Sequence, residues 1–130
     1  MDNYFARITQ AFRALRAAGI IARQNFSCCR SCASGEITQD IEKMPEAKRA
    51  RVRGAVYTTK QDVSGAHNRR GDFTGMWISF GARPESTVKS EEIGQALADA
   101  LRAAGLVVRW DGDEQTRVEV CTDSTVVLAA

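Results

Sequence analysis

The sequence has few prolines, a single histidine and no long hydrophobic run. Because only two of its 130 residues are proline, few positions interrupt a helix or a strand. No apolar stretch approaches the roughly 20 residues of a membrane-spanning helix, so we expect no membrane as a partner. The first residues also lack the apolar segment and the cleavage site of a secretory signal, and we therefore expect a cytoplasmic protein.

Common catalytic motifs are missing as well. The sequence contains no glycine-rich phosphate loop, no Gly-x-Ser-x-Gly nucleophile elbow and no His-Glu-x-x-His metal motif. The single histidine, His67, lies in a polar stretch, where we expect a solvated side chain rather than a catalytic one. No nucleophile, base and orienting group combine into a recognisable site, which favours a protein that is not an enzyme.

The residues that are present suit one globular domain, with 44% hydrophobic and 26% charged residues. Residues 1–54 carry ten Lys and Arg against five Asp and Glu, whereas residues 55–130 carry eight against eleven. The basic half is densest at Lys48–Arg53. A solvated basic linker is the favoured interpretation of this run, since no aromatic residues interleave with it. Contact with the phosphates of a nucleic acid is the alternative.

Hydrophobic periodicity predicts the secondary structure. Phe5, Ile8 and Phe12 recur at spacings typical of an amphipathic helix, and Gly19 follows as a helix stop. The predicted elements are a first helix through Phe5–Ala18, a second helix Ser34–Met44, strands Ala55–Thr59 and Phe73–Phe80, a third helix from Ser86 or Thr87 to Gly105, and strands Leu106–Trp110 and Thr116–Cys121. This order, α-α-β-β-α-β-β, predicts an α+β fold with helices packed on a small, mainly antiparallel sheet.

We expect a single domain over residues 1–130. Its parts are an N-terminal helix with a cysteine cluster (1–45), a basic linker (46–54) and a sheet with a helix (55–130). Residues 60–72 have loop composition, and loops of this length in small domains are often functional. The apolar tail Thr125–Ala130 is predicted to form a last strand or a packed extension.

Asp111-Gly112-Asp113 separates the last two predicted strands. An Asp-Gly pair between two apolar runs is typical of a hairpin turn. We therefore interpret Asp111 and Asp113 first as turn formers, with a cation site as the alternative.

Three of the four cysteines, Cys28, Cys29 and Cys32, lie within five residues. A secreted disulfide framework fits this arrangement poorly, because adjacent cysteines rarely pair with each other. Cys29-x-x-Cys32 has the spacing of half a zinc site, and structural zinc takes four ligands. The candidates for the fourth ligand are Cys121, His67 or an acid such as Glu36.

A redox dithiol is the second interpretation of Cys29-x-x-Cys32, and free thiols are the third. A helix that begins just after the cluster would favour the thiolate form, which serves metal binding and redox chemistry equally. A thioredoxin-like site needs the dithiol between a strand and a helix of a βαβ unit. The run Ile20–Phe26 supplies a strand, but the remaining sheet is predicted to be antiparallel, which disfavours this interpretation.

The run Asn25–Cys32 with the following Gly35-Glu36-Ile37 resembles the Phe-x-Cys-Cys-x-x-Cys…Glu-Ile signature of an uncharacterised domain family, a domain of unknown function. That family occurs in actinobacteria, other bacteria and some of their phages. Three further pieces agree in order over roughly residues 5–122: Gln61-Asp62, Ser79-Phe80-Gly81, and the stretch from Gly105 to Trp110-Asp111-Gly112. The resemblance implies a fold and a bacterial or phage setting, and it carries no known activity.

The resemblance also implies a histidine a few residues before the Gln-Asp pair. This chain has Thr58-Thr59-Lys60 there instead. A metal ligand or base that the family places at this point would therefore be missing here.

The favoured function is a non-enzymatic binding or regulatory accessory protein, bacterial or phage-encoded, that acts on a bacterial host protein. Its protein partner would contact the sheet face or the loop 60–72. The alternative is a small zinc-binding domain or a thiol redox protein that uses Cys28, Cys29 and Cys32. The further candidate residues are Cys121 as a metal ligand, and Gln61, Asp62, His67, Trp110 and Asp111.

Overall fold

A five-stranded sheet with helices against it organises residues 3–122, the part of the chain that the computed structural model describes. The elements are α1 (Tyr4–Ala17), β1 (Ile20–Arg23), α2 (Arg30–Glu42), α3 (Glu46–Arg49), β2 (Gly54–Tyr57), α4 (Lys60–Ser64), β3 (Met76–Ala82), α5 (Ser90–Ala103), β4 (Val107–Arg109) and β5 (Val118–Cys121). This architecture confirms the predicted α+β fold. The tail Thr125–Ala130 lies outside the described residues. No helix within residues 3–122 combines the length and the apolar character needed to cross a membrane.

The strands run in the order β1-β2-β3-β5-β4, and all neighbouring pairs are antiparallel except β1 with β2. The predicted element order contains no strand before the second helix, whereas Ile20–Arg23 forms β1 and pairs in parallel with β2. Because α2 and α3 connect these two strands, they form a βαβ unit. This connection corrects the expectation that the cysteines lack a βαβ context.

One face of the sheet, called the core face here, is covered by the two amphipathic helices α1 and α5. Phe12 on α1 and Leu97 on α5 are fully buried against it. Each helix ends at a glycine, Gly19 with φ +85° and Gly105 with φ +88°, as the sequence predicts for helix stops.

The opposite face, called the outer face here, carries the side chains that alternate with the core residues, among them Tyr57 and Trp77. Helix α2 lies over part of this face and buries Ile37. The Arg23 guanidinium of β1 donates to the Asp40 carboxylate of α2 at 2.6 Å. This ion pair fixes α2 to the sheet.

Two predicted loops contain short helices. The segment predicted as a basic linker, 46–54, contains α3 and ends at the first residue of β2. The loop 60–72 begins with α4, because Thr59 and Asp62 form a reciprocal capping box at its N-terminus. A short local capping signal therefore starts a helix that hydrophobic periodicity does not reveal.

The last two strands pair as predicted, but through a longer loop than a two-residue turn. Val107 lies opposite Cys121 and Arg109 opposite Glu119, so the loop spans residues 110–117. The Trp110 indole N–H donates to the carbonyl oxygens of Asp113 and Thr116 at 3.1 and 2.8 Å. These bonds close the loop around the tryptophan ring.

Candidate functional site

The cysteine cluster lies in the loop that joins β1 to α2. Asn25 and Ser27 adopt φ values of +49° and +63°, which turns the chain sharply before the helix. The Phe26 N–H donates to the Thr58 carbonyl, and the Lys60 N–H donates to the Ser27 carbonyl. The loop is therefore held by the segment that follows β2, the strand paired with β1.

Two buried threonines occupy the position where the family resemblance implies a histidine. Thr58 Oγ1 accepts the Asn25 N–H at 3.0 Å, and Thr59 Oγ1 accepts the Asp62 N–H at 3.2 Å. Both residues are almost fully buried. Their hydroxyls thus support the cysteine loop and the start of α4.

The three cysteine sulfurs converge at the N-terminus of α2. The Sγ atoms of Cys28, Cys29 and Cys32 all lie within 4.8 Å of one another, close enough to hold one metal ion. Cys28 Sγ and Cys29 Sγ are 3.8 Å apart. Tetrahedral zinc with Zn–S bonds of about 2.3 Å separates its sulfurs by about 3.8 Å. The sulfurs are therefore close to the spacing that one zinc ion requires.

The thiols of Cys29 and Cys32 differ in their readiness to ionise. The backbone N–H of Cys32, followed by the Cys32 and Cys28 side chains, lowers the pKa of Cys29 because these groups stabilise its thiolate. The pKa of Cys32 is raised to about 11, since Cys28 and Cys29 hydrogen-bond its neutral form and repel its charged form. Cys29 therefore forms its thiolate more readily than Cys32 does.

Cys121 and His67 are not part of this group. Cys121 lies at the end of β5 with 1% exposure, and burial followed by the charge of Glu119 raises its pKa. The His67 ring stacks on Phe5 with 5.3 Å between ring centroids, and its Nδ1 lies 3.1 Å from the Val63 carbonyl. Neither side chain is placed to complete a metal site with the three cysteines.

The other candidate residues have structural partners. Asp62 caps α4 and accepts a hydrogen bond from the Arg117 guanidinium at 2.9 Å, and Gln61 lies beside it in the first turn. Asp111 Oδ1 accepts the Asp113 N–H at 2.9 Å, which forms the local turn predicted for this aspartate. The Trp110 ring packs against Phe80 with 5.4 Å between centroids. These contacts account for Asp62, Trp110 and Asp111 without a ligand.

A family model described as "Domain of unknown function (DUF6891)" matches residues 2–124. The chain belongs to this family. The match confirms the resemblance to an uncharacterised domain family, and the description of DUF6891 names no activity. No curated protein and no solved structure matches the chain.

The thiols of this DUF6891 domain should differ in their rate of alkylation. We expect iodoacetamide to modify Cys29 fastest near neutral pH, since its pKa is lowered, and Cys121 slowest, since it is buried. Time-resolved peptide mass spectrometry of the reduced protein measures each rate. The denatured chain provides the control, because all four thiols should then react alike. Equal rates for Cys29 and Cys121 in the folded protein would contradict the placement of both.

Proposed function

We propose that this domain binds a zinc ion through the thiolates of Cys28, Cys29 and Cys32. The observation that carries the proposal is the convergence of three free thiols within 4.8 Å at one helix N-terminus. Hydrogen bonds with Cys28 and Cys29, and after them the repulsion between crowded thiolates, raise the pKa of Cys32. A dication relieves this repulsion and holds coordinating thiols in the deprotonated form.

The surroundings of the cluster support metal binding. The positive end of the α2 dipole favours negative charge at its first turn, where Cys29 precedes the helix and Cys32 follows in the first turn. Cys28 and Cys32 are exposed, so an ion from solvent has access. Three protein ligands leave a fourth position of zinc for water or for another ligand.

A zinc titration tests the proposal directly. We expect the reduced, metal-free protein to take up about one equivalent of zinc, measured by competition with a chromophoric chelator and by elemental analysis. Cys121→Ser is the matched control and should bind zinc like the native protein, because Cys121 lies apart from the cluster. Uptake below about a tenth of an equivalent would exclude the zinc site.

Thiol redox chemistry is the second candidate, favoured by the opposite pKa shifts of Cys29 and Cys32 in a βαβ connection. The Cys29 thiolate would attack one sulfur of a substrate disulfide and release the other as a thiolate. Cys32, after losing its proton, would then attack Cys29 Sγ and release the second substrate thiolate. The products are a Cys29–Cys32 disulfide and a reduced substrate. Oxidised glutathione provides the test, since a redox dithiol should form this disulfide and a dedicated zinc site should form mixed disulfides.

A role as a regulatory accessory protein stays a prediction, as do the bacterial or phage origin and the cytoplasmic location. The exposed side chain of Trp77 supports the regulatory role. It is 43% exposed on the outer face, and no other large hydrophobic side chain within residues 3–122 is exposed. An exposed tryptophan is a frequent anchor in protein–protein contacts. The alternative, nucleic-acid binding, would use the exposed Lys48 and Arg51 near α3.

A further inference from the structure

A cavity of about 380 Å³ lies beside the cysteine cluster. This open cavity is lined by the first turns of α2, the outer face of the sheet and the loop 110–117. Arg30 and Ser31, the two residues between Cys29 and Cys32, line it. The same turn of the chain therefore carries the thiols and one wall of the cavity.

Ser79 forms part of the cavity wall and has an unusual hydroxyl group. The residue is 6% exposed, and its Oγ is buried without a hydrogen-bond partner. Every other buried side-chain nitrogen or oxygen atom within residues 3–122 has such a partner. Buried polar groups in native proteins are almost always hydrogen-bonded, so an unpaired one points to a missing ligand or a functional role. Tyr57, which also lines the cavity, lies directly opposite Ser79 in the β2–β3 pair.

Two arginines, Arg30 and Arg117, line the same cavity as this hydroxyl. Arg30 is exposed at the cavity and forms no ion pair with any residue that the structure describes. Arg117 also lines the cavity, and its guanidinium is held by Asp62 and by the face of Trp77, 5.7 Å from the ring centroid. Glu114, which is exposed, also lines the cavity.

The N-terminus of α2 lies at the same wall. The backbone N–H groups of Cys32 and Ser31 in this first turn interact with the Cys29 sulfur. A helix N-terminus also favours negative charge through its dipole. The unpaired donors at the cavity are the Ser79 hydroxyl and the Arg30 guanidinium, and the helix dipole adds positive potential beside them.

We propose that this cavity binds the oxyanion group of a small molecule, a phosphate or a carboxylate, with Ser79 and Arg30 as donors. The Ser79 hydroxyl would donate to one anion oxygen and the Arg30 guanidinium to another. The rest of the molecule would extend toward Cys29 and Cys32, since Arg30 and Ser31 separate these cysteines in the chain. Anion binding in this cavity requires no metal, so it stands apart from the zinc proposal.

The experiment titrates inorganic phosphate and, separately, acetate into the reduced, metal-free protein at low ionic strength. Amide chemical shifts by nuclear magnetic resonance report the binding. We expect saturable binding of at least one of the two anions, which identifies the ligand class. Arg30→Gln and Ser79→Ala should each weaken it about tenfold, the effect of losing one charge-assisted hydrogen bond. Arg13→Gln, a change at an exposed arginine of α1, is the matched control and should bind like the native protein.

Two further measurements distinguish loss of the anion site from misfolding and from loss of the zinc site. Ser79→Ala removes a hydroxyl that lacks a partner, so the thermal unfolding temperature of this variant should not fall. Weaker anion binding by a variant with the native unfolding temperature cannot then be attributed to misfolding. Arg30→Gln retains all three thiols and should keep its zinc affinity. Absence of saturable binding for both anions, or native affinity in both variants, would overturn the anion site whatever the zinc titration shows.

Discussion

Cys29→Ser is expected to lower the affinity of the domain for zinc by on the order of a hundredfold or more. The substitution removes a thiol whose pKa is lowered and leaves two sulfurs at the cluster. Cys32→Ser should have a similar effect, since Cys32 contributes the third sulfur within 4.8 Å. Competition with a chelator of known affinity measures the loss. Native zinc affinity in both variants would show that the cluster is not the metal site.

The zinc affinity of the native protein should rise with pH. Zinc binds the thiolate, and the pKa of Cys32 is about 11, so Cys32 must release its proton on binding at neutral pH. Each released proton increases the affinity about tenfold per pH unit. In Cys32→Ser the slope should fall by one proton, which calorimetry in buffers of different ionisation enthalpy can count. An unchanged slope in this variant would show that Cys32 is not a ligand.

Gly54→Ala is expected to lower the free energy of unfolding by at least about 3 kcal/mol. A Cβ at position 54 would collide with the Gly81 carbonyl oxygen and lie 2.8 Å from Cγ1 of Ile93. The first obstacle is backbone of the paired strand β3 and the second is a fully buried side chain, so neither can move without disturbing the sheet. Urea denaturation followed by circular dichroism measures the change.

Gly35→Ala is the matched control for this substitution. Gly35 lies inside α2, and a Cβ added there would meet no described atom within 4 Å beyond the backbone of its own helix and its chain neighbours. Alanine is a better helix former than glycine, so this variant should gain about 0.5–1 kcal/mol. If Gly54→Ala were as stable as Gly35→Ala, the close packing of β2 against β3 and α5 would be wrong.

Much of the fold can be predicted from local sequence patterns. The helices α1 and α5 are amphipathic over many residues, and their apolar stripes lead directly to the buried Phe12 and Leu97. Helix α2 begins at Arg30, earlier than the predicted Ser34, because Cys29 rather than a serine precedes its first turn. The parallel pairing of β1 joins segments far apart in the chain, and no periodicity within either segment indicates it.

The candidate site also has a part that local sequence patterns predict and a part that they do not. The closeness of Cys28, Cys29 and Cys32 follows from their spacing at a helix start, which is local. The distance of Cys121 from this group depends on the order of strands in the sheet, which is not local. Sequence patterns do not reveal the cavity beside Ser79, because Arg30, Ser79 and Arg117 come from α2, β3 and the residue before β5, and no motif links residues so widely separated.

The contact between α1 and β1 has a consequence for self-association. Strand β1 lies at one edge of the sheet, and an open edge can recruit a strand from another molecule. The Arg16 guanidinium donates through Nε to the Ala22 carbonyl at 3.0 Å, on the side of β1 that faces away from β2. A second chain would have to displace a charged side chain before it could pair there. Arg16 thereby covers one open carbonyl of this edge, and we expect Arg16→Ala to make pairing between the edges of two molecules easier.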